Sequence, residues 1–483
     1  MTSPRTSRRS PAVVAALGTL VCVGAVTGLS QAGGATAPAA TSGTSGTTTV
    51  VSSSSAGTVG NRASALVDAV RGMVGFDSTA TNLSPAATSG VRQSYVKATS
   101  GALTLVSSTA TAQGSSGIGF SPDGGRYAFV ARRGLTGTAA GPQAYVRTLA
   151  SGAVALVSGT GSTPLANSGL SVTPAGFSST GNRLAFAARD TSYGAGWQVL
   201  VKDLGSGALT LASVTSSGAP ISSAAEAPPT VAVAPDGSAV YFDTDAPRVV
   251  AKVAAGQVYR RDLAAAVTSA VSRDASGSPC RGTLDAVLAT GKVVFDSPGI
   301  CAAGLPRAKG NVFVTGPTGA GTAVVSASSS GSPSDGLSAY GAASPDGSLV
   351  AFTSFGTTLG VAGVLSTTPQ IYVKNLGTGA LTWVSRPPSG GNTGKNVSPT
   401  RAMQFASDGG SLVFPSHATN LVSPAPTVPQ VALRRDLTAG RTTVVSLDAA
   451  GSAVDSPFVR VVDAGRVAFT DDTAGQVLLR VLP

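Results

Sequence analysis

The fold of this chain is decided by one short stretch, which reads Ala343-Ser344-Pro345-Asp346-Gly347-Ser348-Leu349-Val350-Ala351-Phe352. Pro345 fixes the backbone angle φ that a tight turn requires, the Asp346 side chain can accept a hydrogen bond from its own backbone, and Gly347 can take a positive φ. The apolar residues 349–352 are too few for a core helix, but they suit a buried β-strand. The stretch therefore predicts a tight turn that leads into a buried strand of a hairpin.

The same apolar strand, ending in phenylalanine, recurs along the chain at Phe76, Phe129, Phe186, Phe242, Phe295, Phe352, Phe414 and Phe469. Another strand follows each phenylalanine after about twenty residues, and the unit then closes on a strand that ends in serine, at Ser52, Ser107, Ser158, Ser213, Ser272, Ser326, Ser385 and Ser446. The phenylalanines are 53 to 62 residues apart. Repeats of this length built only of strands are typical of β-propeller blades.

The two ends of the repeat region are each an incomplete blade. Residues 48–52 have the pattern of the last strand of a blade, and the chain finishes at Pro483 with the three strands that should precede it. Pairing these ends would complete one blade and leave no open sheet edge in the ring. The sequence predicts an all-β fold, an eight-bladed β-propeller of four-stranded antiparallel blades closed by the N-terminal strand; seven blades are the alternative.

Several of these segments resemble a known family. The Ser-Pro-Asp-Gly turns at 121–124 and 344–347, the related turn at 234–237 and the segment 372–382 are similar to WD40-like β-propeller repeats of the PD40 or TolB type. Residues 76–83 and 414–421 resemble a secreted bacterial branch of that family. The resemblance spans residues 47–483 and implies a single propeller domain. It predicts the fold rather than the function, because propellers host unrelated activities.

The first 46 residues do not belong to the propeller. Three arginines precede an apolar segment at 12–29, and small residues follow at 30–32, so residues 1–32 are predicted to be a secretory signal peptide. An uncleaved membrane anchor is the alternative, because 18 apolar residues just suffice to span a bilayer. Residues 33–46 have the Ala, Thr, Gly and Ser composition of a flexible linker. The predicted location is therefore the cell envelope or the exterior.

Charge and motif content exclude several function classes. The net charge of +11 falls to +8 without the three arginines of the signal segment, only 11% of the residues are charged, and no lysine or arginine cluster exceeds a pair. Nucleic acid is therefore not an expected partner. The single histidine, His417, is predicted to pack in a loop, and neither a Gly-x-Ser-x-Gly elbow nor a phosphate-binding loop opens a helix. The sequence predicts no enzyme, no cofactor and no metal site.

Two cysteines follow the signal segment, Cys280 and Cys301. If the blades begin and end as the repeats indicate, Cys280 lies in a connection between two blades and Cys301 lies in a loop within a blade. Both connections emerge on the same face of the propeller. A disulfide between them is predicted, which suits an exported chain. Two free buried thiols are the alternative.

Aspartates gather just after the phenylalanine-ended strands or their equivalents, on the face that also carries the cysteines. They are Asp77, Asp190, Asp243, Asp245, Asp296, Asp471 and Asp472. Aspartate at a strand end often accepts hydrogen bonds from turn amides, which is one explanation. The other is a carboxylate-rich rim around the central channel that binds a ligand.

Three function classes follow from these patterns. The first, which the sequence favours, is a monomeric, non-catalytic binding scaffold whose loops on one face bind a protein, a peptide or a cell-wall glycan. The second is a hydrolase of envelope glycans that uses a carboxylate pair, although only two tryptophans, Trp197 and Trp383, are available to stack on sugars. The third is a structural spacer. A membrane is a predicted partner only if the signal segment stays attached.

Overall fold

The computed structural model describes residues 46–87, 90–107, 114–132, 135, 141–166, 169–297, 301, 310–360, 367–388 and 403–483. The predicted signal peptide (1–32) and the linker (33–46), apart from Gly46, lie outside these residues.

Eight antiparallel sheets of four strands each form the blades of a propeller. β1 (Thr47–Val50) comes first in the chain and belongs to the last blade. Blade 1 contains β2 Ser64–Val70, β3 Met73–Ser78, β4 Gln93–Ala98 and β5 Leu103–Leu105; blade 2, β6 Ser115–Phe120, β7 Arg126–Ala131, β8 Gln143–Thr148 and β9 Val154–Leu156. A ribbon of β10 Gly159–Thr160 and β11 Thr163–Pro164 leads to blade 3, which contains β12 Gly169–Ser171, β13 Arg183–Arg189, β14 Gln198–Asp203 and β15 Leu209–Leu211.

The remaining blades repeat the same order. Blade 4 contains β16 Val231–Val233, β17 Ala239–Thr244, β18 Gln257–Asp262 and β19 Val267–Ala270; blade 5, β20 Thr283–Val287, β21 Val293–Ser297, β22 Asn311–Thr315 and β23 Ala323–Val324; blade 6, β24 Ser338–Ala343, β25 Leu349–Ser354, β26 Gln370–Asn375 and β27 Leu381–Trp383. Blade 7 contains β28 Gln404–Phe405, β29 Ser411–Ser416, β30 Val431–Asp436 and β31 Thr442–Val444; blade 8, β32 Val459–Asp463, β33 Arg466–Asp471, β34 Gln476–Val481 and β1. Among the described residues the helical segments are two short 3-10 turns, Pro174–Gly176 and Thr191–Tyr193.

The ring closes through the N-terminal strand, as the sequence predicted. β1 pairs antiparallel with β34, from Thr47 opposite Val481 to Val50 opposite Leu478, and it forms the outer edge of blade 8. The first strand of blade 1 also contacts the first strand of blade 8. The eight-bladed architecture is confirmed, and the seven-bladed alternative is excluded.

The hydrophobic core lies between neighbouring blades. One cluster of buried apolar side chains occupies each of the eight interfaces. The eight repeat-defining phenylalanines all lie on the second strands of their blades and are fully buried. Phe352, for example, packs toward blade 5 with Val294 and Val312, and its ring centroid lies 5.6 Å from that of Tyr372 on the adjacent strand. The cores hold each blade to the next.

The antiparallel order gives the propeller two different faces. The turn face carries the tight turns that join the first strand to the second and the third to the fourth, including the turn at Gly347 (φ +72°), where the backbone N–H of Ser348 donates to Asp346. The loop face carries the connections between the second and third strands and those between blades. Most of these are longer than the turns, and their length differs from blade to blade, as residues 79–92 and the short connection 472–475 illustrate.

The predicted disulfide is present on the loop face. Cys280 lies in the connection that enters blade 5, Cys301 lies between the second and third strands of that blade, and their sulfur atoms are bonded with the Cα atoms 5.6 Å apart. A crosslink that closes a loop of 21 residues contributes about 3 kcal/mol to stability in the chain-entropy model. Free thiols are therefore excluded at this site.

The described part of the chain contains no helix that is both long enough and apolar enough to span a membrane.

Candidate functional site

The loop face is supported by a repeated hydrogen bond that we call the amide latch. In seven blades a serine two residues after the fourth strand donates through Oγ to the side-chain oxygen of a glutamine or asparagine at the start of the third strand. The pairs are Ser52–Gln476, Ser107–Gln93, Ser158–Gln143, Ser213–Gln198, Ser272–Gln257, Ser326–Asn311 and Ser385–Gln370. In several blades the amide Nε2 also donates to a backbone carbonyl of the next connection, as Gln143 does to Leu165. The amide latch therefore holds the end of the loop before the third strand against the start of the connection to the next blade.

The serines of the latch were recognised in the sequence as strand ends, but their amide partners were missed. A usable signal exists, because Gln or Asn precedes the paired apolar residues of the third strand in every blade except blade 7, where Val431 takes that place. The buried position of these amides makes the hydrogen bond necessary, since an unpaired buried amide is costly.

Asp77 joins blade 1 to blade 2. Its Oδ1 accepts hydrogen bonds from Ser94 Oγ at 2.6 Å and from the backbone N–H of Gly117 at 2.9 Å, and Gly117 lies on the innermost strand of blade 2. Burial raises the pKa of Asp77 to about 6, although both hydrogen bonds oppose the shift. Asp77 is only 7% exposed, so it stabilises an interface between blades from below the surface of the loop face.

Because the folded-state pKa of Asp77 lies above the unfolded value of 3.8, protonation of this carboxyl stabilises the fold below about pH 4, and the contribution is lost as the pH rises through about 6. We expect the unfolding free energy of the wild type to fall by roughly 2 kcal/mol more than that of Asp77→Asn between pH 4 and pH 7. Urea titrations of both proteins across this range measure the difference. If the unfolding free energies of the two proteins depend on pH in the same way, Asp77 does not have a raised pKa.

The same interblade contact recurs at equivalent positions. Asp243 Oδ1 accepts from the backbone N–H of Thr230 at 2.7 Å, and its Oδ2 accepts from that of Leu284, on the innermost strand of blade 5, at 3.0 Å. At the junction of blades 8 and 1, Thr470 Oγ1 accepts from the backbone N–H of Leu66. The residue that follows the buried phenylalanine is thus used to bind the next blade. Asp296 occupies this position in blade 5 and is half-buried.

The other predicted acids of blades 3 and 4 serve their own loops. Asp190 is buried and accepts from the backbone N–H of Ser192 at 2.9 Å, at the start of the second 3-10 turn. Asp245 is exposed and accepts from Ser223 Oγ at 2.5 Å. The seven aspartates are therefore spread over blades 1, 3, 4, 5 and 8. Ligand binding by any of them remains a prediction.

Two of the seven come together in blade 8, where they meet a third carboxylate. We call Asp455, Asp471 and Asp472 the acidic zone. Asp471 is 8% exposed, and its Oδ1 accepts from the backbone N–H groups of Thr473 and Ala474. Partial burial of the Asp472 carboxyl, and then the negative charges of Asp455 and Asp471, raise the pKa of Asp472. No group of three or more acidic, histidine or cysteine side chains within the described ranges has the geometry to hold a metal ion.

Basic side chains occupy the opposite side of the loop face. We call Arg248, Lys252 and Arg281 the basic zone; all three are exposed. Arg248 and Lys252 lie in the loop of blade 4, and Arg281 lies against the end of that loop, since a Cβ added at Gly256 would meet its Nε at 2.9 Å. Blade 4 stands across the eight-membered ring from blade 8. The loop face therefore carries a basic zone and an acidic zone on opposite sides of the ring, although the exposed Asp245 belongs to the same loop as Arg248 and Lys252. The sequence did not reveal this arrangement.

Both tryptophans of the chain are built into the structure. Trp383 is buried, and its Nε1 donates to Gln370 Oε1 and Ser385 Oγ within a latch. Trp197 donates through Nε1 to the Glu226 carbonyl, and the Arg189 guanidinium lies 5.0 Å from its ring centroid. Neither indole is free to stack on a sugar ring. His417 is exposed in its loop, with Nδ1 3.0 Å from the Pro429 carbonyl oxygen.

No family model matches the chain, and no curated protein matches it. Among solved structures it is similar to TolB from Acinetobacter baumannii, with 13% identity and a TM-score of 0.32, over 87% of this chain and 64% of that one. It is also similar to an oligogalacturonate lyase in complex with manganese, with 13% identity and a TM-score of 0.42, over 75% and 88% of the two chains. A prolyl endopeptidase matches at 11% identity and a TM-score of 0.47, over 79% and 49%.

The matched part is thus less than two thirds of the length of that TolB and of the endopeptidase. At such low identity and TM-score these similarities carry no argument about function. The assignment of a propeller rests on the strand pairing itself, and membership of the TolB-type family remains a prediction.

Proposed function

We propose that this protein is a non-catalytic binding scaffold of the cell envelope or exterior, and that its loop face binds a protein partner. The observation that carries the proposal is the contrast between the two faces. The turn face is made of short, repeated turns. The loop face carries connections of different lengths, and the amide latches fix the ends of these connections. Variable loops on a rigid support are the usual location of recognition sites.

The charges of the loop face support a protein or peptide partner over a glycan. The basic zone and the acidic zone lie on opposite sides of the ring, so a partner that carries both signs complements the face better than a uniformly charged or neutral polymer. The buried state of both tryptophans removes the two indole rings that could stack on sugars. Most of the predicted acids are also engaged in hydrogen bonds within the fold, which argues against a pair of free catalytic carboxylates.

The test uses two variants with the same change of charge. Arg248→Gln, Lys252→Gln and Arg281→Gln remove the basic zone, and Arg71→Gln, Lys292→Gln and Arg441→Gln remove three exposed cations from the turn face. The wild type is expected to retain an envelope protein in pull-downs followed by crosslinking. The loop-face variant is expected to bind that protein about tenfold more weakly, because three exposed charge contacts are lost, and the turn-face variant is expected to bind it normally.

Two results would contradict the proposal. Equal binding of the envelope protein by both variants would exclude the loop face as the binding surface. Release of reducing ends from purified cell-wall glycan by the wild type would instead show a hydrolase.

A further inference from the structure

Blade 8 lacks the long loop that blades 1, 4, 6 and 7 place over the junction with the preceding blade. Residues 472–475 alone connect its second and third strands, whereas residues 417–430 make this connection in blade 7. In other blades the connection inserts a buried apolar side chain, at Leu83, Val249, Leu359 and Leu421. In blade 8 the corresponding turn consists of Asp472, Thr473, Ala474 and Gly475, so no large apolar group fills the space.

A cavity of about 440 Å³ lies at this point, between the outer strands of blade 8 and the turn at 448–450 of the connection that precedes it. Its walls are largely apolar and include Val50, Leu478, Ala449 and Ala474. A volume of this size is in the range of sites that bind small organic molecules. The cavity is also distant from the basic zone, since it belongs to the other side of the ring.

Two carboxylates line the same cavity. Asp448 Oδ1 accepts from the backbone N–H groups of Ala450 and Ser452, and Asp471 Oδ1 accepts from those of Thr473 and Ala474. These bonds engage one oxygen of each carboxylate, and no described residue donates to either Oδ2. Asp471 is nine-tenths buried. Unpaired carboxylate oxygens at an apolar cavity are suited to a cationic group, because a buried charge requires a partner.

We propose that this cavity is a binding site for a small organic cation with an apolar body, such as an alkylammonium ion. The hydrocarbon part lies against Val50, Leu478 and the alanines, and the ammonium group donates hydrogen bonds to Asp448 and Asp471. The site shares Asp471 with the acidic zone, but it does not rest on the proposed protein-binding function. The predicted linker, residues 33–46, contains no lysine or arginine, so it has no cationic side chain that could occupy this site.

The probe is hexylammonium, measured by calorimetry and by chemical-shift changes of the mature protein, with hexanol and hexanoate as ligands of the same length. Hexylammonium is expected to bind at least about tenfold more tightly than hexanol, because hydrogen bonds to charged groups are stronger than those to neutral ones, and hexanoate is expected not to bind. Asp448→Asn and Asp471→Asn keep an oxygen for the turn amides and should remove the preference for hexylammonium. Ala474→Phe should fill the cavity and weaken binding of every probe.

The variant that lacks the basic zone serves as the control and should bind hexylammonium as the wild type does. Equal binding of hexanol and hexylammonium would overturn the proposal. So would unchanged hexylammonium binding by both aspartate variants, or binding only to a chain that starts at residue 46, which would show that the preceding segment fills the cavity.

Discussion

Deletion of residues 47–53 is expected to lower the unfolding free energy by at least about 5 kcal/mol. The deletion removes β1, the latch between Ser52 and Gln476, and the buried side chain of Val51. Burial of one valine contributes about 1.5–3 kcal/mol, and each backbone hydrogen bond contributes about 1 kcal/mol. The deletion also exposes β34 as an unpaired strand, so aggregation should accompany the loss of stability.

A chain that starts at residue 46 is the matched control for this deletion, because it lacks the preceding segment but keeps β1. Its denaturation midpoint should equal that of the mature protein. A synthetic peptide of residues 46–60, added to the deleted chain, should restore part of the stability by pairing with β34. An unchanged midpoint after deletion of residues 47–53 would mean that the ring is held closed without its N-terminal strand.

Phe352→Ala is expected to cost about 3–5 kcal/mol, which is typical of removing a fully buried phenylalanine ring. Phe352 has no exposed surface, and it contacts residues of blade 5 as well as Tyr372 of its own blade. The substitution therefore leaves a cavity in an interface from which solvent is excluded. Chemical denaturation of the purified variant measures the effect.

The matched control is Phe458→Ala, since Phe458 is 45% exposed at the entry to blade 8. This substitution should change stability by no more than about 0.5 kcal/mol. Equal costs for the two variants would contradict the placement of the repeat phenylalanines in the interblade core.

Most of the architecture could be predicted because the blades share a small set of local signals. The Pro-Asp-Gly turn, the apolar strand that ends in phenylalanine and the closing serine are short patterns whose physical meaning does not depend on distant residues. The incomplete blades at residues 48–52 and before Pro483 then required the ends to pair, as β1 and β34 do. The disulfide followed from the same topology.

The site could be predicted only in part. The position of the aspartates near the loop face followed from their place at the end of the second strand. Their partners, however, lie in other blades, as Gly117 does for Asp77 and Leu284 does for Asp243. Such contacts depend on how the blades are rotated in the ring, which no local pattern encodes. The cavity of blade 8 was missed for a related reason, since it results from a loop that is short rather than from any motif.

The closing strand also sets a temporal order for folding. Ser52 and Val477, which are joined by a hydrogen bond, lie 425 residues apart in the chain. At synthesis rates of about 5–20 residues per second, β1 waits roughly 20–85 s for its partner. During that interval the seven continuous blades can form neighbour by neighbour, but both ends of the arc expose apolar blade faces that have no neighbour. Synthesis of the last blade is therefore the step at which the chain changes from an open arc, vulnerable to proteases and to other nascent chains, into a ring without ends.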